Sequence, residues 1–360
     1  MEQNKIYTTV GDIEEVLGLS QQEAARLEAI VETYPMAVPD YYLSLIDPND
    51  PDDPIRRMCI PSDAEMDGGG ETDTSGEADN TVALGLQHKY PQTVLILSTN
   101  HCAMYCRHCF RKRMVGATEE EINNNFLATV DYIKAHPEVN NVLITGGDAL
   151  LLSHEMMARY LEAFTGMEQL QFVRIGSRLP VVFPEKVIDD KELQALFGKY
   201  AKKKQIFLIT QFNHPREVTP QAAECVRIFR EMGIIVRNQT VLLKGVNDDP
   251  QVLGTLLQKL TAIGVLPYYV FQCRPVRGVK ARFQVPLVDG ARIVDAAKAM
   301  QNGQGKAFRY CMSTPKGKVE ILGQLDDGRM LFKFHQAKDA ANNARIFARS
   351  LEDGQCWIEP

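Results

Sequence analysis

The sequence lacks the features that mark membrane-spanning, secreted and nucleic-acid-binding proteins. No run approaches the roughly 20 apolar residues of a membrane span, and residues 1–5 contain no apolar signal region. The eight cysteines do not form the dense framework of a small disulfide-stabilised protein. The formal net charge of −6 disfavours nucleic acid as the main partner. We therefore expect a cytoplasmic protein with reduced thiols and with neither a membrane nor a nucleic-acid partner.

What the sequence does contain is an alternation of β-rich and helical runs from Val94 onward. This alternation is typical of βα units around a parallel sheet. The predicted strands are residues 94–99, 141–145, 172–176, 206–211, 234–238 and 268–272. The predicted helices are residues 119–135, 153–164, 189–200, 221–232, 250–263 and 288–300. Six units are too few for a closed eight-stranded barrel, so we predict an open α/β fold.

The segments that flank this core differ from it in composition and in predicted secondary structure. Residues 1–85 are predicted to form an N-terminal helical cap followed by an acidic flexible loop, because residues 63–80 combine three consecutive glycines with many acids. Residues 86–305 form the predicted core. Residues 306–360 are predicted to be a C-terminal extension with short strands at 308–312, 318–322 and 330–334.

Three cysteines within eight residues follow the first predicted strand: Cys102, Cys106 and Cys109. Thiolates select Fe–S clusters, zinc or Cu(I). A cubane cluster has four irons, so three thiolates leave one iron open, whereas structural zinc has four closed ligands. A zinc knuckle completed by His101 or His108 is the alternative. A redox carrier is disfavoured, because it would close all four irons with cysteine.

A second motif, Gly146-Gly147-Asp148, ends the second predicted strand. Glycines let a backbone approach a ligand closely, and free amides beside a carboxylate suit a zwitterionic amino acid whose ammonium group needs an acceptor. An ordinary strand-to-helix turn has the same composition. Its place at the end of the strand that comes after the loop with the three cysteines (residues 102–109, the thiol loop) favours the ligand-binding interpretation.

The CxxxCxxC spacing resembles the signature of radical S-adenosylmethionine (SAM) enzymes, and from about Val38 to Pro286 the chain is similar to the lysine 2,3-aminomutase family. Segments that carry the resemblance are residues 42–48, CRHCFRKR, TGGDALL, and residues 174–178, 212–215 and 238–243. It implies an open (β/α)6 partial TIM barrel of radical SAM type and a [4Fe-4S] cluster whose open iron binds SAM. Gly146, Gly147 and Asp148 match the family's GGE motif, which holds the amino group of SAM.

The resemblance also implies roles for single residues. Ser177, His214 and Gln239 match positions that contact SAM, and Arg111 matches an arginine that clamps the substrate carboxylate. A planar guanidinium suits that task independently, because its fork of donors fits a carboxylate. For residues 111–113, the alternative is a solvated basic segment, which we expect for at least one of them. For His214 it is an imidazole that stabilises an Asn-His-Pro turn.

Departures from the family bear on the substrate. Lysine 2,3-aminomutases hold the distal ammonium of lysine with two aspartates, and the matching positions here are Arg274 and Ser313. A buried arginine facing an ammonium group would cost several kcal/mol. We therefore expect an amino acid with an anionic side chain, as in glutamate 2,3-aminomutase. Arg277, Lys280 and Arg282 are interpreted as surface charges.

The resemblance further implies pyridoxal phosphate (PLP), which the family holds by a Schiff-base lysine. Lys318 is the candidate, with Lys316 as second choice. Tyr90 is retained as a cofactor contact, but Thr93 stands where the family has a phosphate-binding arginine, and Asp249 where it has a zinc-binding cysteine. Without PLP, the same apparatus would perform another radical reaction on an amino acid.

The expected partners are a small amino-acid substrate, an electron donor such as flavodoxin or ferredoxin, and further copies of the chain in a homo-oligomer. A rival from another class is a zinc-stabilised nucleic-acid-binding protein that uses the three thiols, His108 and the basic run 107–113. The acidic net charge speaks against it.

Overall fold

A computed structural model describes residues 5–360 and places most strands in one twelve-stranded sheet with edges at β3 and β14. Strands β3 to β14 lie side by side in chain order, and β1 pairs with β2 separately. The strands are β1 (Ile6–Tyr7), β2 (Val38–Pro39), β3 (Thr81–Ala83), β4 (Leu86–Tyr90), β5 (Thr93–Thr99), β6 (Asn141–Gly146), β7 (Phe172–Gly176), β8 (Gln205–Thr210), β9 (Ile235–Leu242), β10 (Leu266–Gln272), β11 (Arg309–Thr314), β12 (Gly317–Gln324), β13 (Met330–Ala337) and β14 (Ile346–Arg349).

Helices connect the parallel strands of this sheet. The helices are α1 (Glu14–Leu17), α2 (Gln21–Thr33), α3 (Asp40–Leu43), α4 (Pro54–Cys59), α5 (Glu77–Asn80), α6 (Phe126–Ala135), α7 (His154–Gly166), α8 (Leu179–Val182), α9 (Glu185–Ile188), α10 (Lys191–Ala201), α11 (Pro220–Glu231), α12 (Pro250–Ala262), α13 (Lys280–Phe283) and α14 (Leu287–Ala299). Within residues 5–360, none of them has the length and apolar character needed to cross a lipid bilayer.

One face of the sheet packs against the helices, and the other face lines a cavity. On β6, Val142 and Ile144 are fully buried, whereas Asn141, Leu143 and Thr145 line a cavity. Successive side chains of a strand point to opposite faces. The apolar set therefore forms the core beneath the helices, and the other set faces the cavity.

The prediction of a mixed α/β fold with a large parallel sheet is confirmed, and the six predicted strands are all present. Two details differ from expectation. Strand β11, predicted as part of the extension, pairs in parallel with β10, so the parallel run from β5 has seven strands. The helix predicted from residue 119 begins only at Phe126, because the backbone amide of Asn123 donates to Leu97 and its side chain donates to Leu84.

The acidic segment 63–80, expected to be mobile, packs against the thiol loop. Glu65 is fully buried and accepts hydrogen bonds from Arg107 and Lys112, while Arg282 approaches within 3.5 Å. Burial opposes ionisation of Glu65, but Arg107 and Lys112 outweigh it and lower its pKa. Composition alone predicted disorder, because it did not reveal the cations that this carboxylate would meet.

We expect Glu65→Gln to lower the free energy of unfolding by about 3–5 kcal/mol, because buried cations lose their charged partner. Urea unfolding of the purified protein measures the loss. Glu121→Gln is the matched control, since Glu121 pairs with Arg113 in a partly exposed position and such pairs contribute at most about 1 kcal/mol. Equal losses in the two variants would contradict the prediction.

The same ion pairs make the stability of the folded protein depend on pH. The pKa of Glu65 is lower in the folded protein than its ordinary value of 4.5. Its stabilisation is therefore complete above about pH 4.5 and is lost as the pH falls through the lowered folded value. The Glu65→Gln variant should lack this part of the acid-induced loss of stability.

Candidate active site

One cavity of about 620 Å³ collects nearly all of the predicted site residues. It lies on the inner face of the sheet and extends to the loops that follow the parallel strands, where α/β enzymes place their chemistry. The predicted site residues that line it are Tyr90, Cys102, Cys106, Cys109, Arg111, Gly146, Gly147, Asp148, Ser177, Gln239, Arg274 and Lys318.

The thiol loop begins three residues after the end of β5, and all three of its cysteines line the cavity. Burial raises the pKa of Cys102 well above its ordinary value and that of Cys109 to about 11. A cationic metal centre would reverse this, because coordination deprotonates a thiol. The loop therefore supplies three enclosed soft ligands.

The geometry of the loop disfavours the zinc knuckle. Tetrahedral Zn–S bonds of 2.3 Å place ligand atoms about 3.8 Å apart. Within residues 5–360, the only trio of His, Cys, Asp or Glu ligand atoms lying within 4.8 Å of one another is His88, His136 and Glu138. His101 points outward, with Nε2 3.7 Å from Glu119. At least two of the three sulfurs are therefore more than 4.8 Å apart, which is wider than the spacing of ligands around a single zinc ion.

The glycine motif secures the thiol loop. Gly146 has φ +121°, and a Cβ there would lie 2.3 Å from the carbonyl oxygen of Thr99. The amide of Gly147 donates to Thr99 at 2.5 Å, and the amide of Asp148 donates to His101 at 2.8 Å. The prediction of free amides for a ligand was therefore wrong at these two residues. They fix the backbone that carries the thiols.

Asp148 is only 3% exposed and is held by backbone amides. Its Oδ1 accepts from Leu150 at 3.1 Å, and its Oδ2 accepts from Arg178 at 2.7 Å. Burial raises its pKa, and hydrogen bonds from the Ser177 hydroxyl and from backbone amides oppose this rise. The carboxylate is thereby fixed at the cavity wall, beside Ser177.

Arg178 is a site residue that the sequence did not reveal. Its Nη1 lies 2.8 Å from Cys106 Sγ, its Nη2 donates to Glu217 at 2.5 Å, and its Nε donates to the carbonyl of Gln211 at 2.8 Å. A fixed guanidinium thus faces one of the three thiols. Its only sequence signal was membership of the run 174–178, since nothing there indicated proximity to Cys106.

His214 is not among the residues that line the cavity, and its contact with SAM stays a prediction. Its Nδ1 accepts a hydrogen bond from the amide of Arg216 at 3.2 Å and caps the turn at Pro215–Glu217. Burial lowers its pKa to about 4. This hydrogen bond agrees with the alternative interpretation, in which the imidazole stabilises the Asn-His-Pro turn.

Arg111 lines the cavity but is already paired. Its Nε donates to Glu77 Oε1 at 2.9 Å, and the other oxygen of Glu77 accepts from Arg113 at 2.7 Å. Burial opposes ionisation of Glu77, yet the two arginines lower its pKa to about 2. Lys112 is buried against Glu65. Arg111 and Lys112 are therefore buried and paired, and Arg113 is the partly exposed member of the three.

Arg274 is enclosed without a carboxylate partner. Its guanidinium carbon lies 4.2 Å from the centroid of the Phe110 ring, and it donates to the hydroxyl of Ser75. In the described part of the chain, no Asp or Glu oxygen lies within 4.0 Å of its nitrogens. Burial lowers the pKa of Arg274 to about 10, with Glu77 opposing this effect and Arg111 adding to it. Ser313 also lines the cavity.

Lys318 points into the cavity, whereas Lys316 donates to the carbonyl of Pro360. The Nζ of Lys318 lies 4.5 Å from the centroid of the Tyr90 ring and donates to Gln336 Oε1 at 3.0 Å. Burial lowers its pKa to about 8, and Arg174 contributes by repulsion. A larger fraction of this amine is therefore uncharged near neutral pH than for an ordinary lysine.

The cavity as a whole carries an excess of positive charge. Among residues 5–360, seven Lys and Arg side chains line it, against two carboxylates: Lys89, Arg111, Arg174, Arg178, Arg237, Arg274 and Lys318, with Glu77 and Asp148. Enclosed cations of this number require anionic ligands to offset their desolvation. The site is therefore suited to carboxylates, phosphates and a thiolate-bound cluster.

Comparison with known proteins gives the chain a family. No family model matches the sequence. A provisionally named L-lysine 2,3-aminomutase of Aquifex aeolicus is 40% identical over 345 residues, which cover 95% of this chain and 92% of the relative. The L-lysine 2,3-aminomutase of Clostridium subterminale is 36% identical, covering 85% of this chain and 71% of that protein. The glutamate 2,3-aminomutase of Clostridioides difficile is 34% identical, covering 88% and 74%.

A radical SAM methyltransferase from Sphaerobacter thermophilus is similar in structure with a TM-score of 0.38 and 16% identity, covering 63% of this chain and 68% of that one. A TM-score this low does not help to assign the family. The family is assigned from the sequence relatives, one of which matches 95% of this chain. The chain is an enzyme of the radical SAM lysine 2,3-aminomutase family.

Proposed function

We propose that this enzyme is a 2,3-aminomutase for an amino acid with an anionic side chain, such as glutamate. The observation that carries the proposal is Arg274, an enclosed guanidinium in the cavity wall with no carboxylate partner among the described residues. An unpaired buried charge is costly, and an anionic ligand group removes that cost.

A second arginine makes a dicarboxylate the matching ligand. The guanidinium carbons of Arg111 and Arg274 lie 4.6 Å and 4.2 Å from the centroid of the same Phe110 ring. The two are therefore separated by at most the sum of those distances. The two carboxylate carbons of extended glutamate are roughly 5 Å apart by ordinary bond lengths. One glutamate can thus place one carboxylate near each arginine.

The proposed cluster and SAM fit the remaining part of the cavity. Cys102, Cys106 and Cys109 would hold a [4Fe-4S] cluster with one open iron, and Arg178 would donate to the sulfur of Cys106. Asp148 lies close by as an acceptor for an ammonium group. When bound, the cluster and SAM supply a 5′-deoxyadenosyl radical that abstracts hydrogen. The chain's residues bind, orient and shield the reactants.

The residues around Lys318 fit PLP. The chain offers an amine with a lowered pKa, the ring of Tyr90 beside it, and two arginines with free donors, Arg174 and Arg237. When bound, PLP supplies the imine chemistry that lets an amino group migrate from C2 to C3. The threonine at position 93 favours the PLP-independent alternative, in which the radical performs another reaction on the amino acid.

We also propose that the sheet is an open (β/α)6 partial barrel. Side chains from β4 to β12 all line the one cavity, which supports a sheet curved into an open partial barrel. We also propose a flavodoxin or ferredoxin electron donor, a homo-oligomer, a cytoplasmic location and a division of the chain into three parts at residues 85 and 305.

The test of function is turnover by the anaerobically reconstituted enzyme with SAM, dithionite and one amino acid at a time. We expect glutamate to give both 5′-deoxyadenosine and a β-amino product, and lysine to give much less of either. Faster turnover of lysine would contradict the argument from Arg274. Formation of 5′-deoxyadenosine with glutamate but without a β-amino product would favour the PLP-independent alternative.

Arg178→Gln is expected to make the reduction potential of the cluster more negative. The reduced cluster carries more negative charge, and both a hydrogen bond and a positive charge at Cys106 stabilise it. Redox titration followed by electron paramagnetic resonance measures the potential. The potential of Arg178→Lys should lie between that of Arg178→Gln and that of the native enzyme. Arg216→Gln, which removes a pair with Asp53, should leave the potential unchanged. An unaltered potential in Arg178→Gln would refute the role.

The lowered pKa of Lys318 predicts the pH dependence of its reaction with PLP. Only the uncharged amine is nucleophilic, so the rate of covalent attachment should fall about tenfold for each pH unit below about 8. Borohydride reduction followed by peptide mapping locates the pyridoxyl group, which we expect on Lys318. Lys318→Ala should abolish labelling, and Lys316→Ala should retain it. A label at Lys316 would overturn the assignment.

A further inference from the structure

We propose that Arg174 and Arg237 form a phosphate-binding subsite on the cavity wall, and that it takes a phosphate monoester. This inference rests on the proposed function in one respect, because PLP is the monoester that the site would receive. The subsite would replace the phosphate-binding arginine that is absent at Thr93.

The sheet brings the two arginines to the same layer of the cavity. Arg174 on β7 is paired with Phe207 on β8, and Ile209, two residues further along β8, is paired with Arg237 on β9. Residues 207 and 209 point to the same face of their strand. Arg174 and Arg237 therefore face the same side, and both line the cavity.

Both guanidinium groups have buried donors without a partner. The Nε atoms of Arg174 and Arg237 are shielded from solvent and make no hydrogen bond to any residue that the structure describes. Across residues 5–360, Arg174 makes one side-chain hydrogen bond, from Nη2 to Asn141 Oδ1 at 2.7 Å. A buried unsatisfied donor on a charged group costs more than the usual 1–3 kcal/mol or so for a neutral one. A ligand with several acceptor oxygens would satisfy these donors.

Within residues 5–360, no carboxylate pairs with either of these arginines. The two acids of the cavity wall are engaged elsewhere, Glu77 with Arg111 and Asp148 with backbone amides. Arg237 instead lies over two rings, 5.0 Å from the centroid of Phe207 and 4.9 Å from that of Tyr268. Stacking holds a guanidinium by its faces and leaves its edge of N–H donors available.

The two arginines together indicate a ligand with two negative charges. Burial lowers the pKa of Arg174; Tyr268 and Tyr269 oppose this effect, and the neighbouring Arg237 adds to it by repulsion. Two mutually repelling guanidiniums are offset best by a dianion. At neutral pH a phosphate monoester carries nearly two negative charges and three acceptor oxygens. A single carboxylate carries one charge, and the substrate carboxylates already have Arg111 and Arg274.

The subsite lies beside the position where the arginine is missing. Thr93 on β5 is paired with Asn141 on β6, and Asn141 Nδ2 donates to Thr93 Oγ1 at 3.0 Å. Asn141 also accepts from Arg174. Arg174 thus reaches the neighbour of Thr93 from the other side. Tyr90, whose ring centroid lies 4.5 Å from the Nζ of Lys318, is paired with Thr93, so the donors and the amine share one end of the cavity.

The experiment compares PLP with pyridoxal, which lacks the phosphate, in equilibrium binding to the reconstituted enzyme without SAM. The native enzyme should bind PLP about 10–100-fold more tightly than pyridoxal, as expected for hydrogen bonds to a charged group. Inorganic phosphate should compete with PLP but not with pyridoxal. Arg237→Gln should remove most of the preference, and Arg237→Lys, which keeps the charge, should retain part of it.

Arg309→Gln is the matched control, because Arg309 is partly exposed, lies near Glu320 and does not line the cavity. Iron content and the far-ultraviolet circular dichroism of each variant establish that it folds. Equal affinity of the native enzyme for PLP and pyridoxal, or an unchanged preference in Arg237→Gln, would overturn the subsite. Because no turnover is measured, a failure of glutamate as substrate would sink the proposed function without altering this result.

Discussion

Cys106→Ser is expected to abolish both the iron–sulfur chromophore and SAM cleavage. A serine hydroxyl is a hard ligand with a much higher pKa than a thiol, and soft iron–sulfur centres require thiolates. With one of three sulfurs removed, the loop would retain only Cys102 and Cys109. The variant would also leave Arg178 facing a hydroxyl instead of a thiolate. Anaerobic reconstitution, followed by iron analysis and by the assay for 5′-deoxyadenosine, measures both losses.

The control for this variant is Cys356→Ser. Cys356 is half-buried, lies outside the thiol loop and does not line the cavity. We expect native iron content and native SAM cleavage in that variant. Zinc instead of iron in the native protein, or an unaltered spectrum in Cys106→Ser, would show that the three thiols do not hold an iron–sulfur cluster.

Local patterns made the sheet and the thiol loop predictable from sequence. Apolar β-rich runs such as 172–176 carry their own signal, and that strand was predicted with the bounds observed. The spacing of the three cysteines is likewise contained within eight residues. By contrast, the length of β9 was underestimated, because the polar residues Gln239 and Thr240 face the cavity and a tertiary hydrogen-bond network rather than solvent.

The contacts that complete the site join residues far apart in the chain, and no local pattern encodes them. Glu77 meets Arg111 across 34 positions, and Arg178 meets Cys106 across 72. The acidic composition of residues 63–80 predicted solvation because the matching cations lie in another segment. The imidazole of His214, by contrast, makes a local contact, because it accepts a hydrogen bond from the amide of Arg216, and its contact with SAM stays a prediction.

Arg274→Asp should reverse the preference between glutamate and lysine. The native arginine would pair with the side-chain carboxylate of glutamate, and loss of one partner of a buried charged pair costs about 2–5 kcal/mol. We therefore expect kcat/KM for glutamate to fall about 30-fold to several thousand-fold. The new aspartate would accept the ammonium group of lysine, and adding Ser313→Asp should raise lysine turnover further, since Ser313 lines the same cavity.

The ratio of kcat/KM for lysine to that for glutamate is the decisive measurement. A variant that folds poorly loses active enzyme for both substrates equally, so the ratio responds only to recognition. Arg277→Asp is the control, because Arg277 is exposed, does not line the cavity and receives the same change of charge. Its ratio should equal that of the native enzyme. An equal shift of the ratio in Arg274→Asp and Arg277→Asp would mean that a general change in charge, and not a contact at Arg274, selects the substrate.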